Sequence, residues 1–280
     1  EMARCLVGSE MCIRDRLYLA VFLDYGIFGV ALGSVIAQCS GLILSIIIFM
    51  YYYYKFNFRS YKLYKILNMG SFLNLFSISR HLFLRTMLLV AVQAYVIKKA
   101  GLIGVDQLAT IEILLVIFSL SSYSLDAFAH SAESTVGVSI GSKNKLNILK
   151  AIRNTTELAL MFAIIIGIIL YVFNFYIIAL FTDITILRNL TNELWGLVVI
   201  TPFISMLAFQ LDGIFIGATL AKEMRNCIIF SSIIFYLILE YFIRDNLDLK
   251  SLYSCFLFFL ILRGFFLTIY LPRVFKLVKN

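Results

Sequence analysis

The chain has 280 residues, 62% of them apolar and 14% charged, with a mean hydropathy of +0.96. A soluble domain is nearer half apolar and a quarter charged, so this chain lacks the polar surface needed to cover its hydrocarbon, and lipid is the solvent that fits. The formal charge of +8 sits mostly between the apolar runs, which excludes a nucleic-acid surface and fits the loops of a polytopic membrane protein.

The first sixteen residues, EMARCLVGSEMCIRDR, carry six charges and no apolar core of signal-peptide length. They resemble the translated read-through of a sequencing adapter, so the chain is expected to be a fragment beginning further upstream. Leu17–Leu23 is too short to span a bilayer and reads as the end of an earlier helix. Seven spans are expected at Ile27–Tyr54, Leu82–Ile97, Gln107–Thr135, Thr155–Leu180, Leu190–Leu220, Asn226–Ile243 and Ser251–Leu271. All must be helical, because lipid offers nothing to unpaired backbone groups. The fold class is therefore an all-α integral membrane bundle.

The stretches after the first, third, fifth and seventh spans hold fourteen basic residues: Lys55, Arg59, Lys62, Lys65, Arg80, Lys143, Lys145, Lys150, Arg153, Lys222, Arg225, Arg273, Lys276 and Lys279. The alternate stretches hold five: Lys98, Lys99, Arg188, Arg244 and Lys250. By the positive-inside rule the first set and the C-terminus are cytoplasmic. Residues 55–80 interleave apolar, aromatic and lysine residues, as an amphipathic cytoplasmic linker would. The organisation expected is a non-native segment over 1–16, the end of one helix bundle over 17–54, that linker, and a second bundle over 81–280.

Ionisable groups inside spans are costly and mark function by default. Glu112, Ser119, Asp126 and Glu133 recur every seven residues on one helix face, with Ser122 and His130 beside them. Such a stripe implies a water-filled cavity or polar neighbours. The alternative places the two glutamates at the interfaces and bonds the serines to backbone carbonyls. Asp126 lies too deep for that reading.

Asp212 follows Pro202 by ten residues, and proline breaks in transporters border binding cavities. Gly213/Gly217 and Gly137/Gly141 are small-residue pairs that read as packing devices. Arg85 is a partner for a carboxylate such as Asp126, or else a snorkelling side chain; Arg263 is also inside an apolar run. The five cysteines show no ligand spacing. The two histidines, His81 and His130, form no metal motif, and no phosphate loop or nucleophile elbow appears. No metal, no cofactor and no enzymatic chemistry are expected.

The segments GVALGSVIAQ, HLFLRT, LSSYSLDAFAHSAESTVGVSIGSKNK, IALFTD and LDGIFIGATLAKEMRN, in that order, resemble the multidrug and toxic compound extrusion (MATE) transporters, nearest the DNA-damage-inducible protein F-like branch. That resemblance implies twelve helices in two bundles of six, of which this chain would hold the sixth to twelfth. It also implies secondary antiport of amphipathic drugs or metabolites against H⁺ or Na⁺ in the bacterial plasma membrane, by a full-length monomer embedded in lipid. Arg85, Asp126, Glu133 and Asp212 fall where this branch has the same residues, whereas Ser79 and His81 stand where it has Asn and Asp. A lipid-linked precursor flippase, expected to line its cavity with arginines, and a non-transporting scaffold are the alternatives. Here the carboxylates expected to be buried outnumber the arginines, which argues for the drug antiporter. The chain by itself is not expected to transport.

Overall fold

The computed structural model describes residues 26–55, 69–242 and 248–278. The adapter-like segment, Leu17–Leu23 and linker residues 56–68 lie outside the described residues. The chain divides into two compact units, Glu1–Phe72 and Leu73–Asn280.

In the first unit, α1 (Gly26–Lys55) is an uninterrupted helix of 30 residues, long enough to cross a bilayer. Its Gln38–Tyr51 stretch is apolar and exposes Leu42, Ile43, Ile46, Ile47 and Phe49.

The second unit is built on α2 (Met69–Ile103, within this unit from Leu73 on), α3 (Val105–Gly141), α4 (Lys145–Val172), the short α5 (Asn174–Phe181) and α6 (Thr185–Glu193), α7 (Trp195–Gly217), α8 (Ala221–Leu237), α9 (Leu249–Tyr270) and the terminal α10 (Pro272–Lys276). Among the described residues, six helices of this set are long and apolar enough to cross a membrane. Together with α1 they account for the seven expected spans.

Boundaries differ where apolarity conceals a break. The run Thr155–Leu180 is two helices, because α4 stops at Phe173 and Asn174 starts a new turn. The run Leu190–Leu220 divides at Leu194 between α6 and α7. Conversely, Met69–Arg80 of the expected linker belongs to α2, which continues unbroken through His81. His81 within it is buried against another helix. Helix α8 runs on into a π-helical turn, Ile238–Phe242.

Helices α3 and α7 make the most extensive contact, with α4 packed on both and α9 on the other side of α7. One apolar core joins Val92, Val96 and Ala100 of α2 to Leu114, Trp195, Phe235, Leu249 and Phe259. A second joins Val136, Ile148, Phe215, Met224 and Val274, with Leu82 against it. The loops rich in Lys and Arg after α3, after α7 and after α9 thus meet at one end of the unit, where Arg273 also bonds Glu223 at 2.7 Å. The α2–α3 connection, α6 and the start of α9 meet at the other.

Two connections at the basic end are copies of each other. Residues 142–144 join α3 to α4 and residues 218–220 join α7 to α8. In each, the middle residue is left-handed: Lys143 at φ 53° and Thr219 at φ 57°. The hydrogen bonds match one for one: Lys143 N–H to Ile140 O and Asn144 N–H to Ser139 O, against Thr219 N–H to Ile216 O and Leu220 N–H to Phe215 O. Both are Schellman-type closures that satisfy the last helical carbonyls.

Candidate functional site

Glycine determines how α7 meets α3. A Cβ at Gly213 would lie 2.1 Å from the Ala129 carbonyl oxygen, and one at Gly217 would lie 2.4 Å from that of Glu133. The two backbones therefore touch, as small-residue pairs in membrane helices allow. Gly137 completes the contact at 3.5 Å from Gly217 O. Gly141 does not share this role, since a Cβ there would meet nothing within 4 Å; it is one residue from the turn, past the crossing. Helix α7 is assigned as one helix through buried Pro202. Thr201 bonds Leu197 O, and Ser205 bonds Pro202 O, beside the missing donor.

This crossing sets Asp212 deep in the unit, 4% exposed. Two guanidinium groups converge on its Oδ2: Arg85 Nη2 from α2 and Arg263 Nη2 from α9. The Arg85 contact is a hydrogen bond, whereas the Arg263 contact is one of charge without a directed hydrogen bond. Arg263 is 3% exposed and lies over the Phe209 ring, 5.4 Å from its centroid. Gly264 beside it lets α9 approach Leu207 and Ala208 of α7 at 3.4–3.6 Å.

Arg85 thus partners a carboxylate, Asp212 and not the Asp126 considered above. Arg85 reaches across to α7 because its own helix carries 81, 85, 88, 92 and 96 toward the bundle at helical spacing. Two arginines, half-buried Arg85 and buried Arg263, meet one buried carboxylate, Asp212, while Asp126 is half-buried and Glu112 is exposed.

The seven-residue stripe of α3 runs along the edge of its packed face. Glu112 and His130 are exposed, Ser119, Asp126 and Glu133 are half-buried, and Ser122 is buried. Ser119 and Ser122 bond Leu115 O and Ser119 O of their own helix, as the alternative reading held. Glu133 sits 3.3 Å from His130. Asp126 is the stripe residue that reaches the charge cluster. It forms no ion pair with any described residue, yet the charges of His130, Arg263 and Arg85 all act on it.

Sequence reading missed three polar contacts. Gln210 donates to Thr155 Oγ1 at 2.7 Å between α7 and α4. The Thr201 and Tyr253 hydroxyls meet at 3.1 Å between α7 and α9. Glu240, in the π-helical turn, takes Lys99 Nζ at 2.7 Å and the Tyr95 hydroxyl, both from α2. Only Glu240 carried a signal: it is a carboxylate inside an apolar run, the criterion that selected Asp126.

A family model described as MatE matches residues 82–242, and the six long apolar helices lie within and beside that range. DNA damage-inducible protein F of Escherichia coli K12 is 28% identical over 221 residues, covering 79% of this chain and 48% of that protein. A solved mutant of the Vibrio cholerae MATE transporter VcmN is similar in fold, with TM-score 0.83 and 18% identity over 99% of this chain and 63% of that one. A Pyrococcus furiosus transporter of the MOP superfamily, described as having a binding pocket of reverse polarity, aligns at TM-score 0.77 and 15% identity, covering 100% and 63%. The chain spans about half the length of the curated relative that it matches.

Proposed function

The chain belongs to the MatE family, whose members are transporters and not enzymes, and from that premise we propose that it forms part of a secondary antiporter of the bacterial plasma membrane. Amphipathic drugs or metabolites leave in exchange for H⁺ or Na⁺, neither of which needs a resident cofactor. The observation that carries this reading is the group of ionisable side chains, Arg85, Asp212 and Arg263 with Asp126 beside them, inside a largely apolar bundle. Charges at that depth are retained at a cost that a purely structural bundle has no reason to bear. A carboxylate that holds a cation in one facing state and releases it in the other supplies the differential affinity that exchange requires. Asp126 and Asp212 are the candidates, with Glu112, Glu133 and Arg85 contributing along the same path.

The two arginines on one carboxylate also favour a second reading, a flippase for lipid-linked precursors, whose anionic headgroups such a cluster would attract. The test is transport by the full-length protein in proteoliposomes. Gradient-driven efflux of ethidium supports the antiporter. Scrambling of a fluorescent polyprenyl pyrophosphate without ethidium movement supports the flippase. Absence of both leaves the scaffold.

The basic loops gathered at one end of the bundle support a cytoplasmic placement of that end, the C-terminus included. A reporter after Asn280 should then read as cytoplasmic and one between Asp183 and Arg188 as external. An external C-terminus would reverse the orientation.

A further inference from the structure

The two carboxylates that the fold brings near Arg85 are not equivalent, and Arg263 makes the difference. Asp212 with Arg85 alone would be a neutral pair, open to competition from any cation arriving at the carboxylate. Arg263 is a second guanidinium on the same oxygen, and it turns the trio into a net cation. Opposite charges inside a low-dielectric bundle attract strongly, and a further cation approaching this carboxylate is repelled. Arg263 cannot easily step aside: it is 3% exposed, and it lies over the Phe209 ring. Asp126 is half-buried and has no ion-pair partner among the described residues. The charged groups that face it are His130 on its own helix, Arg263 on α9 and Arg85 on α2, with Asp212 on α7 held between those two arginines.

We propose that Arg263 is a positioning residue that withdraws Asp212 from ion exchange and fixes it as the anchor of α2, leaving Asp126 as the exchanging carboxylate of this unit. The proposal rests on the transporter reading for its consequence in coupling, but its structural content can be read separately.

The experiment uses the full-length protein in proteoliposomes, with ethidium efflux followed against pH and against Na⁺, and infrared difference titration of the carboxyl groups on the same samples. Asp126→Asn should abolish the response to the gradient and remove a titrating carboxyl band. Asp212→Asn should lower the amount of protein and its rate but leave both the midpoint of the pH profile and that band in place. Arg263→Gln should release Asp212. A second carboxyl band then appears and the midpoint moves by about one pH unit, an effect that the Arg263→Gln/Asp212→Asn double variant cancels. Arg263→Lys, which keeps the charge, should keep the wild-type midpoint.

The proposal is overturned if Asp212→Asn removes the gradient response at wild-type protein levels, or if Arg263→Gln leaves both midpoint and bands unchanged. Should Arg263→Gln fail to accumulate, the bands lost in the two aspartate variants decide alone, since the loss of a titrating band on Asp212→Asn contradicts it. A wild-type protein without gradient-driven efflux would sink the antiporter reading, while the infrared titration would still decide the role of Arg263.

Discussion

Helices α3 and α2 are held to the rest of the bundle in opposite ways. Helix α3 lies against α7 backbone to backbone, at Ala129–Gly213 and Glu133–Gly217, and no side chain intervenes. Helix α2 is the least covered span of the unit, with 17% of its apolar window buried against 61% for α7. Three polar contacts fasten it along its length: His81 to Arg225 at 3.1 Å near the basic end, Arg85 to Asp212 midway, and Lys99 with Tyr95 to Glu240 at the far end. A glycine crossing has one geometry and fails when atoms are added. A row of long side chains can be remade link by link, because each link is a separate pair with its own reach. The unit thus combines a fixed centre with a helix whose attachment is distributed and partly electrostatic.

The largest effect should come from removing the carboxylate that both regions share. Asp212→Ala leaves two buried guanidinium groups without their anion and should cost about 3–5 kcal/mol, read as the shift in SDS-induced unfolding of the purified full-length protein. Replacing all three members together, Arg85→Met, Asp212→Leu and Arg263→Met, should recover most of that stability while abolishing transport. A triple variant as unstable as the single one would show that the charges are not the source. Next is the crossing itself: Gly213→Ala should cost at least ~2 kcal/mol, because the atom it must move is backbone. A normal unfolding curve for it would mean that α3 and α7 can separate freely.

A smaller effect is expected at one outer link of α2. Glu240→Gln should lower stability by about 1 kcal/mol or less, since Glu240 is partly exposed, and amide exchange should rise in the outer turns of α2 with no change in α3. The smallest is a control: Gly141→Ala meets open space and should be neutral, or stabilising by about 0.5–1 kcal/mol from helix propensity. A loss there comparable to that at Gly213 would remove the crossing as the explanation.

How far the sequence revealed this arrangement follows from the range of each interaction. The apolar runs and the alternation of basic loops are local or additive, so the spans and the clustering of basic ends were legible. Glycine pairs were legible as packing devices, but Gly137/Gly141 and Gly213/Gly217 look alike in one dimension, and only the crossing point separates Gly141 from the rest. Asp212 and Arg85 stood out as charges in apolar runs. Their pairing joins residues 127 positions apart, which no spacing rule encodes, so the nearer candidate, Asp126, was expected as the partner of Arg85. The break at Leu194 did carry a signal, the polar run Thr191–Asn192–Glu193 inside the expected span.

The twin turns at 142–144 and 218–220 bear on how the protein is made. Only three residues join α3 to α4, and α7 to α8, so the arms of each pair stay close together as a hairpin from the moment both exist. During synthesis the ribosome delivers the first hairpin before the glycines of the second exist. The Ala129 and Glu133 carbonyls of α3 therefore wait in the membrane, as a bare backbone ridge, for Gly213 and Gly217 to arrive. The order of insertion, and not affinity alone, then decides which helix docks there first.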